Sequence, residues 1–158
     1  MIRTATADDT ATIADLIRAL ASYEHLEHAV VLEEARLREH LFGPHPYAEV
    51  LLAEADGETV GFALFFHNYS TFLGQPGIYL EDIFIRPEHR RRGHGRELLK
   101  AVARIAVQRG CGRLEWSVLD WNTPAANFYQ KLGAAPLDEW TTFRLSGAAL
   151  AQLGEASS

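Results

Sequence analysis

The sequence predicts a mixed α/β protein with one central, mostly antiparallel sheet flanked by helices, and three observations carry that prediction. Apolar runs of strand length alternate with amphipathic runs of helix length over 158 residues. Two of the strands meet at Asp56-Gly57, a pair that accepts the positive φ of a tight hairpin turn. A further strand, Tyr79-Leu80-Glu81-Asp82-Ile83-Phe84-Ile85, leads through Arg90-Arg91-Arg92-Gly93-His94-Gly95 directly into a helical run.

Taken in order, Ile2 to Thr6 reads as a short strand. Asp8 is placed to cap the helix after it, whose Ile13, Leu16, Ile17 and Leu20 recur at helical spacing. A second helix spans Leu32 to Leu41, and Gly43-Pro44-His45-Pro46 breaks it. Val50 to Ala55 and Thr59 to Phe66 are the hairpin strands, and Ser70 to Gly77 loops into the strand Ile78 to Ile85. The helix after Gly95 carries Leu98, Leu99, Val102, Ile105 and Ala106 on one face, with Gly110 just past its end as a C-cap glycine. Leu114 to Leu119 is the next strand. Asn122 or Thr123 caps a helix with Pro124 in its first turn, where no hydrogen bond is lost. Gly133 ends that helix. Ala134 to Leu137 and Thr141 to Leu145 are read as the last two strands, and the tail from Gly154 as loose. No repeat or linker divides the chain, so residues 1–158 are expected to form one domain.

Composition narrows the class of partner. The single cysteine, Cys111, forms no internal disulfide and fits a reducing compartment. No apolar run approaches the roughly 20 residues that span a bilayer, and Met1-Ile2-Arg3-Thr4 lacks a signal-peptide core. The expected location is cytoplasmic, with no membrane partner. A net charge of −6 argues against nucleic acid. The charge is uneven: Arg86 to Arg104 holds seven basic and two acidic residues, net +5, which leaves −11 for the rest. A basic island in an acidic chain suits two ligands of opposite sign, one phosphorylated and one cationic.

The Arg90–Gly95 segment says what the phosphorylated ligand is. Its glycines let the backbone approach an anion, and the N–H groups and dipole of a helix start favour negative charge there. It lacks the Lys-Ser/Thr ending of a P-loop. It is not Gly-x-Gly-x-x-Gly, and a hairpin precedes it rather than a Rossmann βαβ start. Coenzyme A fits what remains. Its diphosphate would sit at the helix start, and its pantetheine amides would pair with an exposed strand edge, as in strand addition.

The segments Leu20-Ala21-Ser22-Tyr23-Glu24, Gly43-Pro44-His45-Pro46 with Leu52-Ala53-Glu54, and Val60-Gly61-Phe62-Ala63 belong to one pattern. It continues with Tyr79 to Ile85, Arg90-x-x-Gly93-x-Gly95 and Trp121-Asn122-x-Pro124-x-x-Asn127-Phe128-Tyr129. In this order the chain resembles the GNAT superfamily of N-acetyltransferases, and within it the spermidine/spermine (diamine) acetyltransferase branch. The resemblance spans about nine tenths of the chain. It implies the GNAT fold, acetyl-CoA as co-substrate, no metal, a homodimer, and transfer of an acetyl group to a primary amine.

By position, the resemblance implies that backbone groups of Ile83, Phe84 and Ile85 pair with pantetheine. Backbone N–H groups of Arg91, Arg92, Gly93, His94, Gly95 and Arg96 would hold the diphosphate. Asn122, Thr123, Pro124 and Ala125 would line the coenzyme, and Tyr129 would lie near its sulfur. Tyr23, Glu24 and Glu81 would face the amine, bordered by Glu115, Trp116 and Ser117. Thr141 stands where the polyamine branch carries an acidic residue, with Glu139 two positions earlier. The expected acceptor is therefore a small cation: a diamine, a polyamine or a thialysine-like amine.

The chemistry needs a base and an acid. A primary amine is protonated at neutral pH, so Glu81 is expected to take its proton, directly or through water. A backbone N–H near Ile83 would meet the developing oxyanion. Tyr129 would protonate the leaving thiolate. His67 is an alternative base, and Cys111 has no part. Two other classes compete: a protein or peptide N-acetyltransferase, and an acetyl-CoA-binding module without turnover.

Overall fold

Residues 1–155 are described by a computed structural model. They fall into two compact units, Met1–Ser117 and a second from Val118 onward.

The first unit is built on a five-stranded sheet in the order β1 (Ile2–Thr4), β2 (Glu49–Ala55), β3 (Glu58–Ser70), β4 (Gln75–Ile85) and β5 (Leu114–Trp116). Neighbours are antiparallel except β4 and β5, which are parallel. The β2–β3 hairpin turns where expected, with φ of 55° at Asp56 and 78° at Gly57, the pair of positive values a type I′ turn requires.

Helices α1 (Thr10–Tyr23) and α2 (Glu34–Phe42) cover one face of the sheet. Ile13, Leu16 and Leu41 pack there with Val50, Leu52, Phe62 and Phe84. Strand alternation sends Ala63 and Phe65 to the opposite face, which α3 (His94–Gln108) covers with Leu98 and Val102. Burying each large apolar side chain contributes about 1.5–3 kcal/mol.

The start of α1 differs from expectation. Asp9, not Asp8, organises it: its carboxylate accepts the Thr6 N–H at 2.7 Å and pairs with Arg3 at 2.8 Å. Arg3 holds the Asp9 carboxyl down at about 2. Arg3 also bonds Glu54 at 2.6 Å, which ties the edge strand β1 to β2.

The second unit holds α4 (Thr123–Lys131) and α5 (Gly147–Glu155). Asn122 caps α4 by accepting the Ala125 N–H at 3.4 Å, and Pro124 lies in its first turn. The two final strands predicted at Ala134–Leu137 and Thr141–Leu145 do not form among the described residues. A strand exists only with a partner edge, and residues 134–146 pair with none. The strand expected over Leu114–Leu119 is limited to Leu114–Trp116 for the same reason: its pairing with β4 ends at Trp116. Part of the tail read as loose is helical instead, because Gly154 and Glu155 close α5; residues 156–158 lie outside the described residues.

Candidate active site

The site begins with one extra residue in β4. Along β3 the register advances from Leu64 to Phe65, while β4 steps from Asp82 to Leu80. Glu81 is the unmatched residue of a β-bulge, and it is exposed. On the other side, β5 pairs only with Ile78, Tyr79 and Leu80. Beyond Leu80 no strand among the described residues covers that edge of β4. The bulge therefore coincides with the point where the sheet opens.

Which backbone groups face the opening follows from the ladder. Arg86 N–H donates to the Val60 carbonyl at 2.8 Å. Antiparallel pairs alternate, so Phe84 exchanges its hydrogen bonds with Phe62, and Ile83 and Ile85 turn theirs to the free edge. Of Ile83, Phe84 and Ile85, the outer two thus offer edge groups, while the Phe84 side chain is buried in the α1 core.

The loop after β4 is shaped to bind an anion. Arg91 has φ 64° and Gly93 φ 84°. Left-handed residues spaced this way turn consecutive N–H groups toward a common point. Among the described residues, the N–H groups of Arg91, Arg92 and Gly93 have no backbone acceptor. Those of His94, Gly95 and Arg96 lie in the first turn of α3, where no intrahelical acceptor exists. The ring of His94 has its Nε2 buried without a hydrogen-bond partner. Such a donor set fits a diphosphate, and the open β4 edge beside it fits an amide-bearing arm.

Three carboxylates gather at the bulge. Asp82 shares the α1 face of the sheet with Leu64 and Phe84. Burial pushes its carboxyl up to about 7, helped by the nearby charges of Glu81 and Glu24. Burial also raises Glu24, at the C-terminal end of α1. The neighbouring Arg90 side chain does not neutralise them. Its guanidinium lies over the Tyr23 ring, 4.3 Å from the centroid, and 5.4 Å from that of Phe84. Its Nε donates to the Ile85 carbonyl at 2.9 Å.

The β5 side is a braced wall. Tyr79 Oη and Ser117 Oγ lie 2.8 Å apart, and Trp116 pairs with Leu80. Glu115 accepts from Asn68 at 3.2 Å and pairs with Arg113 at 2.8 Å. Its charge is met within the protein, so Glu115 braces β5 against β3 and does not offer a free carboxylate to an amine. His67, the alternative base, lies 3.4 Å from Arg109, which also grips Glu49 with bonds of 2.7 and 2.9 Å.

The first unit thus brings together Tyr23, Glu24, Glu81, Ile83–Ile85 and the Arg91–Arg96 loop. Asn122, Thr123, Pro124, Ala125 and Tyr129 belong to the second unit, on and beside α4, where the Tyr129 and Phe128 rings stand 5.6 Å apart. Sequence reasoning gave no role to Asp82 or Arg90. Asp82 had a signal: it lies two residues from Phe84 in a strand, so the two share a face, and a carboxylate on a core face is unusual.

An open strand edge next to a donor-rich helix start is what an enzyme needs to hold a coenzyme A thioester, so fold and site define an acyltransferase. Comparison with known proteins gives its lineage: the chain belongs to the acetyltransferase (GNAT) family, whose model matches residues 11–134. It is 43% identical to the thialysine N-epsilon-acetyltransferase of Bos taurus, over 97% of this chain and 96% of that protein. It is 36% identical to the L-ornithine N5-acetyltransferase of Arabidopsis thaliana, over 94% and 85%. An integron cassette protein of V. cholerae superposes with a TM-score of 0.83 at 25% identity, over 99% and 98%. The chain is an acetyl-CoA-dependent N-acetyltransferase whose acceptor is a small amine. No helix among the described residues is long and apolar enough to cross a membrane.

Proposed function

We propose that the acceptor is a short cation of the thialysine or ornithine class, acetylated on its terminal amine. The observation that carries this reading is the carboxylate cluster of Glu24, Glu81 and Asp82. None of the three has an ion-pair partner among the described residues. A cluster of carboxylates, two of them half-buried, without its own cation favours a cationic ligand. The relatives named for thialysine and ornithine act on amines of that size and charge.

Bound acetyl-CoA supplies an activated acyl carbon, and the chain's residues do the rest. The Arg91–Arg96 N–H groups hold the diphosphate and the Ile83 edge holds the pantetheine arm. Asn122 to Ala125 line the coenzyme. Tyr23 and Glu24 orient the acceptor, with Trp116 and Ser117 at the border of the cleft. Glu81, exposed on the bulge, takes the amine proton, directly or through water. Asp82 sets the local field, and its carboxyl near 7 makes it a second candidate for that proton. Tyr129 returns a proton to the leaving sulfur. The working form is a cytoplasmic homodimer; the exposed Trp140 and Phe143 of the second unit support self-association.

The test is release of coenzyme A thiol by the purified chain with acetyl-CoA and a panel of thialysine, ornithine, lysine, diaminopropane, spermidine and a lysine peptide. Turnover is expected to be fastest with thialysine or ornithine. Turnover confined to the peptide would overturn the acceptor assignment.

A further inference from the structure

Arg90 reaches two places that serve different substrates, and this follows from its contacts rather than from its charge. Its backbone opens the anion loop. Its guanidinium stacks on Tyr23 at 4.3 Å and approaches Phe84 at 5.4 Å. Tyr23 and Phe84 are themselves ring neighbours, with centroids 6.5 Å apart and planes tilted by 51°. Tyr23 is the last residue of α1 and precedes Glu24 of the carboxylate cluster. One side chain therefore joins the loop that holds the acetyl donor to the wall that faces the acceptor.

We infer that Arg90 is a positioning residue that couples the two substrate sites, and this rests on the acyl-transfer reading above. Two physical consequences follow. First, the loop is anchored from outside itself. Arg91 stands at φ 64°, a conformation that is unfavourable for a side-chain-bearing residue. The neighbouring Arg90 stack, with its bond to the Ile85 carbonyl, helps to hold the loop in that form. Second, Arg90 already occupies one lone pair of the Ile85 carbonyl, so the edge groups of Ile83 and the Ile85 N–H are the ones left fully open to the pantetheine arm.

Lysine cannot replace Arg90 in this role. It has no planar face to lay on Tyr23 and no Nε–H in a fixed fork. The same logic makes Tyr23 matter to a ligand it does not touch. Removing its ring takes away the surface that steadies Arg90 and, through it, the donor loop.

The experiment is calorimetric titration of coenzyme A, without any acceptor, into wild type, Tyr23→Phe, Tyr23→Leu, Arg90→Lys and Tyr23→Leu/Arg90→Lys, each checked for an unchanged melting profile. Tyr23→Phe keeps the ring and should lose less coenzyme A affinity than Tyr23→Leu. Tyr23→Leu should weaken binding about two- to fivefold, the worth of a half-exposed cation–π contact. Arg90→Lys should weaken it at least as much, and the double variant no further than Arg90→Lys alone. Equal affinity for wild type and Tyr23→Leu would overturn the coupling, as would fully additive losses. A wild-type chain that binds coenzyme A but acetylates no amine would sink the function and leave this result standing. One that binds no coenzyme A would sink both.

Discussion

Gly61 lies directly against the Phe84 carbonyl, so closely that a Cβ added to Gly61 would collide with it and with the Ile85 side chain. The contact sits where β4 carries its free edge, on the strand that must hold the acyl donor. Gly61→Ala should destabilise the fold by about 1–3 kcal/mol through overpacking. It should also displace Ile85 from the pantetheine edge. Melting and coenzyme A titration should therefore fall together; a loss of stability with unaltered affinity would separate the strand contact from the site.

Asp82 should make stability depend on pH in the unusual direction. Its folded pKa of about 7 lies above the unfolded value of 3.8, so the folded chain binds the extra proton. Stability should fall as pH rises from about 4 to about 7 and level off beyond. Asp82→Asn should remove that slope and raise stability at pH 8, by at most about 4 kcal/mol from a three-unit shift. Urea midpoints at pH 5 and pH 8 measure it. In catalysis the ionised Asp82 should favour a cationic acceptor, so the acceptor KM of wild type should drop through pH 7 and that of Asp82→Asn should not.

The proposed base and acid can be told apart. Glu81→Gln should lower kcat about 100- to 10,000-fold near neutral pH, the usual worth of general base catalysis. The loss should shrink at high pH, where the amine is already free. Tyr129→Phe should reduce kcat by about tenfold to a thousandfold while coenzyme binding persists. A uniform loss across pH for Glu81→Gln would make it an acceptor-positioning group.

The two left-handed residues of the anion loop should respond oppositely. Gly93 needs its φ of 84°, so Gly93→Ala should cost about 1–2 kcal/mol. Arg91 occupies φ 64° with a side chain, so Arg91→Gly should be nearly neutral, relief of strain offsetting glycine's entropy cost of about 0.5–1 kcal/mol. Coenzyme A affinity should survive Arg91→Gly if Arg91 serves through its backbone N–H alone. A large loss would place its guanidinium on the ligand.

Much of the fold was legible because it rests on local signals. Asp56-Gly57 fixed a hairpin by its own turn chemistry, and Leu98, Leu99 and Val102 marked the buried face of α3. The bulge also left a trace: Ile78 and Leu80 keep one parity, Ile83 and Ile85 the other. What failed depended on partners far along the chain. Residues 134–145 have strand composition but no edge to pair with among the described residues. Glu115, expected at the border of the cleft, has partners in Asn68 and Arg113, 47 and two positions away in sequence. Arg90 hid its role because stacking on Tyr23 joins residues 67 positions apart, which no spacing rule anticipates.

The extra residue at Glu81 also sets what this strand can tolerate. Before it, even-numbered residues of β4 face α3; after it, odd-numbered ones do. Deleting Glu81 would set Asp82 next to Leu80 and restore regular alternation, with Phe84 still in its core and Ile83 still facing α3. The two cores can do without the spare residue, and its loss would remove only the exposed carboxylate and the local bend. A library built on this enzyme can vary the count at Glu81 as well as the letters, and the shortened strand would separate what the fold needs there from what the chemistry needs.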